Sequence, residues 1–218
     1  MFSQEETTTR FRSVPPRFAA LANGVSIHAD DYDDTGSALH VTAPVLPPAF
    51  ALCELGRRSG KDLMLAFHVG VEVENKIGDA ISPRHNKDGF HTTGTCGSFG
   101  SAAACAKLRG LNATQTACAL GIAASEASGI RDNFGSMTKP FHAGHAAENG
   151  TVAADLALLG WTAADDILEA PLEEVADKFR TNAEFAKWPA QKAESIIALV
   201  KSLENQSDVG RLTAALTG

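Results

Sequence analysis

The segment Gly135-Ser-Met-Thr-Lys-Pro-Phe-His-Ala-Gly-His-Ala-Ala-Glu-Asn-Gly150 places one lysine, Lys139, at the mouth of a helix whose following face is alanine and glycine. The free N–H groups and dipole of a helix start favour anions. An ammonium there, with His142 and His145 one turn further on, suits a carboxylate. Pro140 supports the boundary, because proline is favoured at the first helical position. The same residues also read as a surface lysine ahead of a tightly packed core helix. Two other polar clusters accompany this one. In Asp30-Asp31-Tyr32-Asp33-Asp34-Thr35, with His40 five residues beyond the threonine, four carboxylates fall within five positions. Their mutual repulsion is expected to raise the pKa of at least one, making it a proton acceptor; the alternative is a solvated acidic loop. In Asp88-Gly-Phe-His91-Thr-Thr-Gly-Thr-Cys-Gly97 a histidine leads into a glycine-rich helix start, where backbone N–H groups receive anions. A lone histidine in such a place also serves structure alone.

The three clusters supply aspartate, histidine and lysine at loop-to-helix junctions, the equipment for acid–base chemistry beside a bound carboxylate. A metal site is the competing arrangement, built from the acidic run with His40 or from His142 with His145. Helical di-metal proteins repeat a Glu-x-x-His pair on two helices, and this sequence has no such repeat. The expectation is therefore no metal and no cofactor.

The elements that must hold these groups read as helices. Pro15-Pro16 opens an apolar stripe through Ala19, Leu21, Ala22, Val25 and Ile27. A second helix is expected from about Pro47 to Arg58, broken at Ser59-Gly60, and a third from Lys61 to Ile77. Residues 78–90, with Gly78, Pro83, Asn86, Asp88 and Gly89, read as a loop. A Gly/Ala/Ser-rich helix stops at Gly110, and Asn112 with Gln115 forms the capping box of the next. The helix after Lys139 runs to Leu159 and ends at Gly160. No hairpin dipeptide joins alternating segments, so the fold class is all-α. Small side chains over 97–106, 119–129 and 143–157 let helix axes approach closely and predict a tight central bundle. Pro171 starts a further helix to Phe179, Pro189 another to Leu203, and 208–216 a short terminal one. The expected organisation is a single domain: an irregular segment 1–14, a main bundle 15–170, and C-terminal helices 171–218 packing back on it.

Length and composition bound the rest. A chain of 218 residues is long enough for one sizeable core. A net charge of -7 argues against general nucleic-acid or anionic-membrane binding. The N-terminus has no apolar core of a secretory signal, and no run approaches the ~18 apolar residues of a membrane span. Cys53, Cys96, Cys105 and Cys118 show no C-x-x-C pair and no cluster-ligand spacing, so they read as buried free thiols. A cytoplasmic location is expected.

Taken in order, Asp31-Tyr-Asp-Asp-Thr35 with His40, Gly89-Phe-His91-Thr-Thr-Gly94 and Lys139-Pro-Phe-His-Ala-Gly144 resemble the MmgE/PrpD family. The similarity runs from about Phe11 to Glu169, and the segment from Glu173 on resembles that family's C-terminal helices. The resemblance implies an all-α domain with a smaller α/β lid, a dimer, and a site between domains needing no metal or cluster. It also implies active-site roles for Asp31, Thr35, His40, His91 and Lys139. Relatives carry more helix before this chain's start and a whole lid between the segments that here abut near Ala170 and Pro171. The chain resembles a family member lacking the lid and reduced to about half its usual extent.

The expected activity is that of a lyase on a small di- or tricarboxylate, with dehydration of a 2-methylcitrate-like substrate as first choice. Lys139, His142 and Thr35 are expected to bind substrate. Asp31 or His91 takes a proton α to a carboxylate, and His40 or His91 protonates the departing hydroxyl. Lys139 stabilises the developing enediolate-like charge. Decarboxylation of cis-aconitate and epimerisation share that carbanion-like stage, and a non-catalytic helical remnant or dimerisation partner is the rival of another class. A homodimer covering the open cleft is expected.

Overall fold

The computed structural model describes residues 14–217 apart from 37, 38, 165, 166, 169–171, 206, 207 and 209. The expected irregular N-terminal segment up to residue 13, and Pro171 as a helix start, lie outside the described residues. The described residues form α-helices with no strand, an all-α fold. None of these helices is long and apolar enough to cross a membrane. The chain divides into two compact units, residues up to Ile167 and residues from Leu168.

In the first unit α1 (Pro16–His28), α2 (Thr42–Gly56), α3 (Gly60–Ile81), the short α4 (Arg84–Lys87), α5 (Thr92–Arg109), α6 (Ala113–Glu126) and α7 (Thr138–Leu158) follow one another. Helix α5 is the axis of the unit and packs against α2, α3, α6 and α7, while α1 lies along α7. All but two residues of α5 are buried, Lys107 and Arg109 excepted. That is why the sequence of α5 shows no apolar stripe: a helix covered on all sides has no polar face to contrast. Its small residues admit neighbouring backbones. Ser101 donates to the Ala147 carbonyl of α7 at 2.9 Å, and Asn149 of α7 donates to Ser98 and to the Glu126 carbonyl of α6. The close bundle expected from the alanine and glycine content is present, with α1 and α3 as its outer members.

The helix expected to end at Phe179 runs on to Phe185, and three boundaries in the first unit also differ from expectation. Helix α2 starts at Thr42, five residues before Pro47, and carries Pro47 and Pro48 inside it. Those prolines lack the donors that would meet the carbonyls of Ala43 and Pro44. The first turn is held from outside instead, by the Asp34 carboxylate accepting from the Thr42 N–H at 3.1 Å. Helix α3 begins in a capping box between Ser59 and Asp62 and continues to Ile81, past the expected stop. Gly78 lies inside the helix and is small for packing, since an ideal Cβ there would fall 2.2 Å from Leu39 Cδ2. Residues 78–90 are thus a last helical turn and the short α4, not one loop. In α7 the first helical residue is Thr138, so Pro140 occupies the third position, where its missing donor is still harmless.

Gly110 closes α5 at φ 70°, and the Asn112–Gln115 capping box opens α6. All four cysteines are free and buried. Burial pushes the Cys96 and Cys105 thiols up to about 12, so neither is a nucleophile at neutral pH.

The second unit holds α8 (Leu172–Phe185), α9 (Ala190–Lys201) and α10 (Gly210–Thr217). Ala176 and Ala183 of α8 and Ala193, Ile196 and Ile197 of α9 form its buried side. Arg180 bridges the two helices, with Glu194 at 2.6 and 3.1 Å and Asp177 at 2.6 Å.

Candidate active site

The C-terminus of α1 and the acidic run after it form one wall of the site. His28 is the last residue of α1 and its side chain is fully buried. Just beyond it Asp31 takes a left-handed conformation, φ 54°, which aspartate tolerates better than most residues. This bend folds the acidic run back onto the helix it leaves. The buried Asp33 carboxylate then accepts from His28 Nδ1, 3.1 Å from each oxygen, and its Oδ1 lies 3.3 Å from His40 Nδ1. Asp31 Oδ1 is 3.6 Å from His28 Nδ1, and its other oxygen pairs with the Lys139 ammonium. The carboxylates expected to repel one another are separated by assignment: Asp31 to Lys139, Asp33 to two imidazoles, Asp34 to the α2 start. The Lys139 hydrogen bond holds the Asp31 carboxyl below its ordinary range, the reverse of the raised value expected for this run.

His91 and His142 form the second wall. His91 precedes α5, and its N–H donates to the Gly129 carbonyl at 3.0 Å while Arg131 N–H donates to Gly89 at 2.8 Å. This short antiparallel bridge, centred on Phe90 and Ile130, clamps the His91 loop to the segment entering α7. Gly129 sits at φ 136°, and an ideal Cβ there would lie 3.4 Å from both His91 Cβ and His142 Cγ. The glycine permits both the backbone conformation and the approach of the two rings. His91 Nδ1 and His142 Nδ1 are 3.1 Å apart, so one donates and the other accepts. The His91 ring stacks on His28 at 5.7 Å and meets Phe134 edge-on at 4.8 Å. The Lys139 ammonium lies 5.2 Å from the Phe134 ring centroid. Thr93 ties the walls together, its hydroxyl accepting from the His40 N–H at 3.0 Å.

Burial, then the neighbouring His28, His142, Lys139 and His40, bring the His91 imidazole down to about 3. His142 is lowered by burial and by His145 and His28; His28 is lowered by burial against the opposing pull of Asp33. His28, His91 and His142 are therefore neutral imidazoles, set beside the Lys139–Asp31 pair and the Asp33 carboxylate. Neutral imidazoles can donate to an arriving carboxylate or pass a proton without first losing a charge.

Of the residues expected at the site, Asp31, His40, His91, Lys139 and His142 fall in this one chain of contacts. Thr35 is exposed on the loop, outside it. His145 stacks on Phe141 at 5.4 Å, one turn beyond His142. Sequence reasoning named Asp33 only as one of the acidic run, and missed His28 and the positioning residues Gly129 and Phe134. A histidine at the last turn of α1, with aspartates three and five residues later, was the available signal.

The model of the MmgE/PrpD N-terminal domain matches residues 4–185. The chain belongs to the MmgE/PrpD family. It is 41% identical over 162 residues to a cis-aconitate decarboxylase of Homo sapiens, covering 72% of this chain and 34% of that protein. A cis-aconitate decarboxylase of Aspergillus terreus (strain NIH 2624 / FGSC A1156) is 34% identical over 193 residues, covering 84% and 39%. A cis-aconitate decarboxylase-like protein of Aspergillus oryzae (strain ATCC 42149 / RIB 40) is 36% identical over 164 residues, covering 69% and 33%. This MmgE/PrpD chain thus spans about a third of the length of the curated relatives it matches.

Proposed function

We propose that this MmgE/PrpD domain carries the proton-handling half of a lyase site for a small di- or tricarboxylate, with a cis-aconitate-like substrate as first candidate. The observation that carries the reading is the convergence of Lys139 with four imidazoles at the end of α1, on the loop before α2 and at the starts of α5 and α7. The names of the relatives support decarboxylation over the dehydration of a 2-methylcitrate-like substrate, which uses the same groups. Lys139 exchanges Asp31 for a substrate carboxylate, and His142 and His91 donate hydrogen bonds to the anion. In decarboxylation the C–CO2 bond breaks and CO2 leaves. The released electron pair shifts the double bond, and the far alkene carbon takes one proton, supplied by His40. Asp31 is a weak base while Lys139 holds it ionised; once released it becomes the better acceptor for a dehydration.

The span of about a third of its relatives favours a second reading, in which the domain binds the carboxylate but needs a further domain or chain to turn it over. Proton NMR with cis-aconitate, 2-methylcitrate and citrate, comparing wild type with Lys139→Ala, separates the two. Turnover that the substitution abolishes supports the lyase. A folded wild-type protein that turns over none of the three supports the binding role, and turnover untouched by Lys139→Ala overturns the site.

A further inference from the structure

We propose that Arg131 is a positioning residue: it latches the His91 loop onto the segment entering α7, and so holds His91 at hydrogen-bonding distance from His142. Among the described residues no hydrogen bond or ion pair joins the Arg131 side chain to a group of the site. Its Nη1 donates instead to the Asn86 backbone carbonyl at 3.1 Å and to the Asn86 side-chain oxygen at 3.0 Å, one hydrogen to each. Asn86 lies in α4, and α4 is tied in turn to α5. The Thr95 hydroxyl has the His91 and Thr92 carbonyls within reach at 3.3 and 3.2 Å, so it donates there and accepts from His85 Nε2 at 2.8 Å. The His85 ring also stacks on Phe90 at 4.8 Å. Arg131, Asn86, His85 and Thr95 thus make one strap around residues 89–91.

The bridge that this strap closes is weak by itself. Its backbone bonds, His91 N–H to Gly129 and Arg131 N–H to Gly89, join only residues 89–91 to 129–131, and even a longer isolated two-stranded pairing is marginal in water. Gly89 at φ 101° and Gly129 at φ 136° stand at its ends, and glycine has the most conformational freedom to lose on ordering. Helix α4 is a single turn, too short to persist without outside contacts. With neither piece self-supporting, the distance from His91 to His142 is set by what fastens one to the other. The 3.1 Å separation of the two Nδ1 atoms tolerates little drift, because at about 3.6 Å such a hydrogen bond is gone. The consequence for turnover rests on the lyase reading; the placement of the rings does not.

The test is nuclear magnetic resonance of the isotope-labelled full chain. Wild type is expected to show a nitrogen–nitrogen scalar coupling between the two Nδ1 nuclei across their shared proton. Arg131→Ala loses the coupling, and its His91 N–H exchanges with solvent about tenfold faster or more, the scale of one lost hydrogen bond to a charged group, while the far-ultraviolet circular dichroism stays as in wild type. Asn86→Asp, which keeps the acceptor and gives the guanidinium an ion pair, retains the coupling. Arg84→Ala removes the Arg84–Asp88 pair of the same turn and leaves the rings as they are. Absence of the coupling in wild type overturns the latch, as do its survival in Arg131→Ala, its loss in Asn86→Asp or an equal loss in Arg84→Ala. Turnover of cis-aconitate is read separately: kcat falls by about tenfold to a hundredfold in Arg131→Ala, with KM little changed because Arg131 does not meet the substrate. Coupling lost with turnover kept leaves the latch standing and overturns the part of His91 in the lyase reading.

Discussion

Gly144→Ala tests whether the close crossing of α1 and α7 is what sets the first wall of the site. A Cβ at Gly144 would lie 2.4 Å from the Leu21 carbonyl oxygen and 2.8 Å from the Val25 nitrogen, both backbone atoms of α1. From the other side, a Cβ at Gly24 would lie 2.7 Å from the Gly144 Cα. Ordinary contact near ~3.5 Å demands that α1 retreat by about 1 Å. Overpacking of this kind costs about 1–3 kcal/mol, and backbone obstruction places it in the upper part of that range. Alanine returns up to about 1 kcal/mol of helix propensity, so the net change is destabilising by about 1–2 kcal/mol. Gly60→Ala, at the start of α3 with nothing within 4 Å, is the control in which propensity acts alone and stability rises by a few tenths to about 1 kcal/mol. Urea unfolding of the two variants should move in opposite directions. Because α1 ends in His28, the Gly144 variant should also lose up to ~100-fold in turnover, the scale expected for a 1 Å misplacement. A Gly144→Ala protein as stable as the Gly60 variant would refute the crossing as described.

Glu74 on α3 is fully buried with neither oxygen hydrogen-bonded among the described residues, and burial, aided by Asp34, pushes its carboxyl well above the ordinary range. The folded chain therefore keeps a proton that the unfolded chain releases near pH 4.5. Stability falls as pH rises above that point, by about 1.4 kcal/mol per unit, until the folded-state pKa is passed. Glu74→Met removes this slope, so its advantage over wild type in urea unfolding should grow from pH 5 to 7; a constant difference would count against a neutral buried Glu74. Gly129→Ala should cost about 1–3 kcal/mol, because the φ of 136° strains any L side chain. Calorimetric affinity for a tricarboxylate should drop with it, as the new methyl presses on His91 and His142, and an unchanged affinity would show that neither ring touches the ligand.

Helices were legible wherever local chemistry alone decides them. The Asn112–Gln115 box and the αL stop at Gly110 are set by residues within one turn, and both stand where the sequence places them. The start of α2 was hidden because its cap is not local. Asp34, eight residues upstream, supplies the acceptor, and Pro47 and Pro48 look like a first turn while sitting in the second. Gly78 misleads in the same way: it reads as a breaker, but its role is to admit Leu39.

The site divides along the same line. Lys139, His91 and the acidic run stand out as a set, because together they bring an ammonium, an imidazole and carboxylates to three helix junctions, while each alone also reads as a cap or a solvated loop. His28 does not stand out, since one imidazole closing an apolar stripe looks like a last-turn cap. Its importance arises only when the left-handed turn at Asp31 returns Asp33 to Nδ1. That contact also lowers the cost of burying the imidazole: one nitrogen is bound to a carboxylate, while the ring stacks on His91 and meets His40 edge-on. Removing Asp33 would leave two imidazoles without their anion in a dry wall, whereas removing Asp31 frees only a half-exposed ion pair. The acidic residue that matters most to the architecture is thus not the one that meets Lys139. On the proposed reading, one aspartate builds the wall and the other is exchanged, so that Lys139 turns to an arriving anion while Asp33 keeps the wall in place.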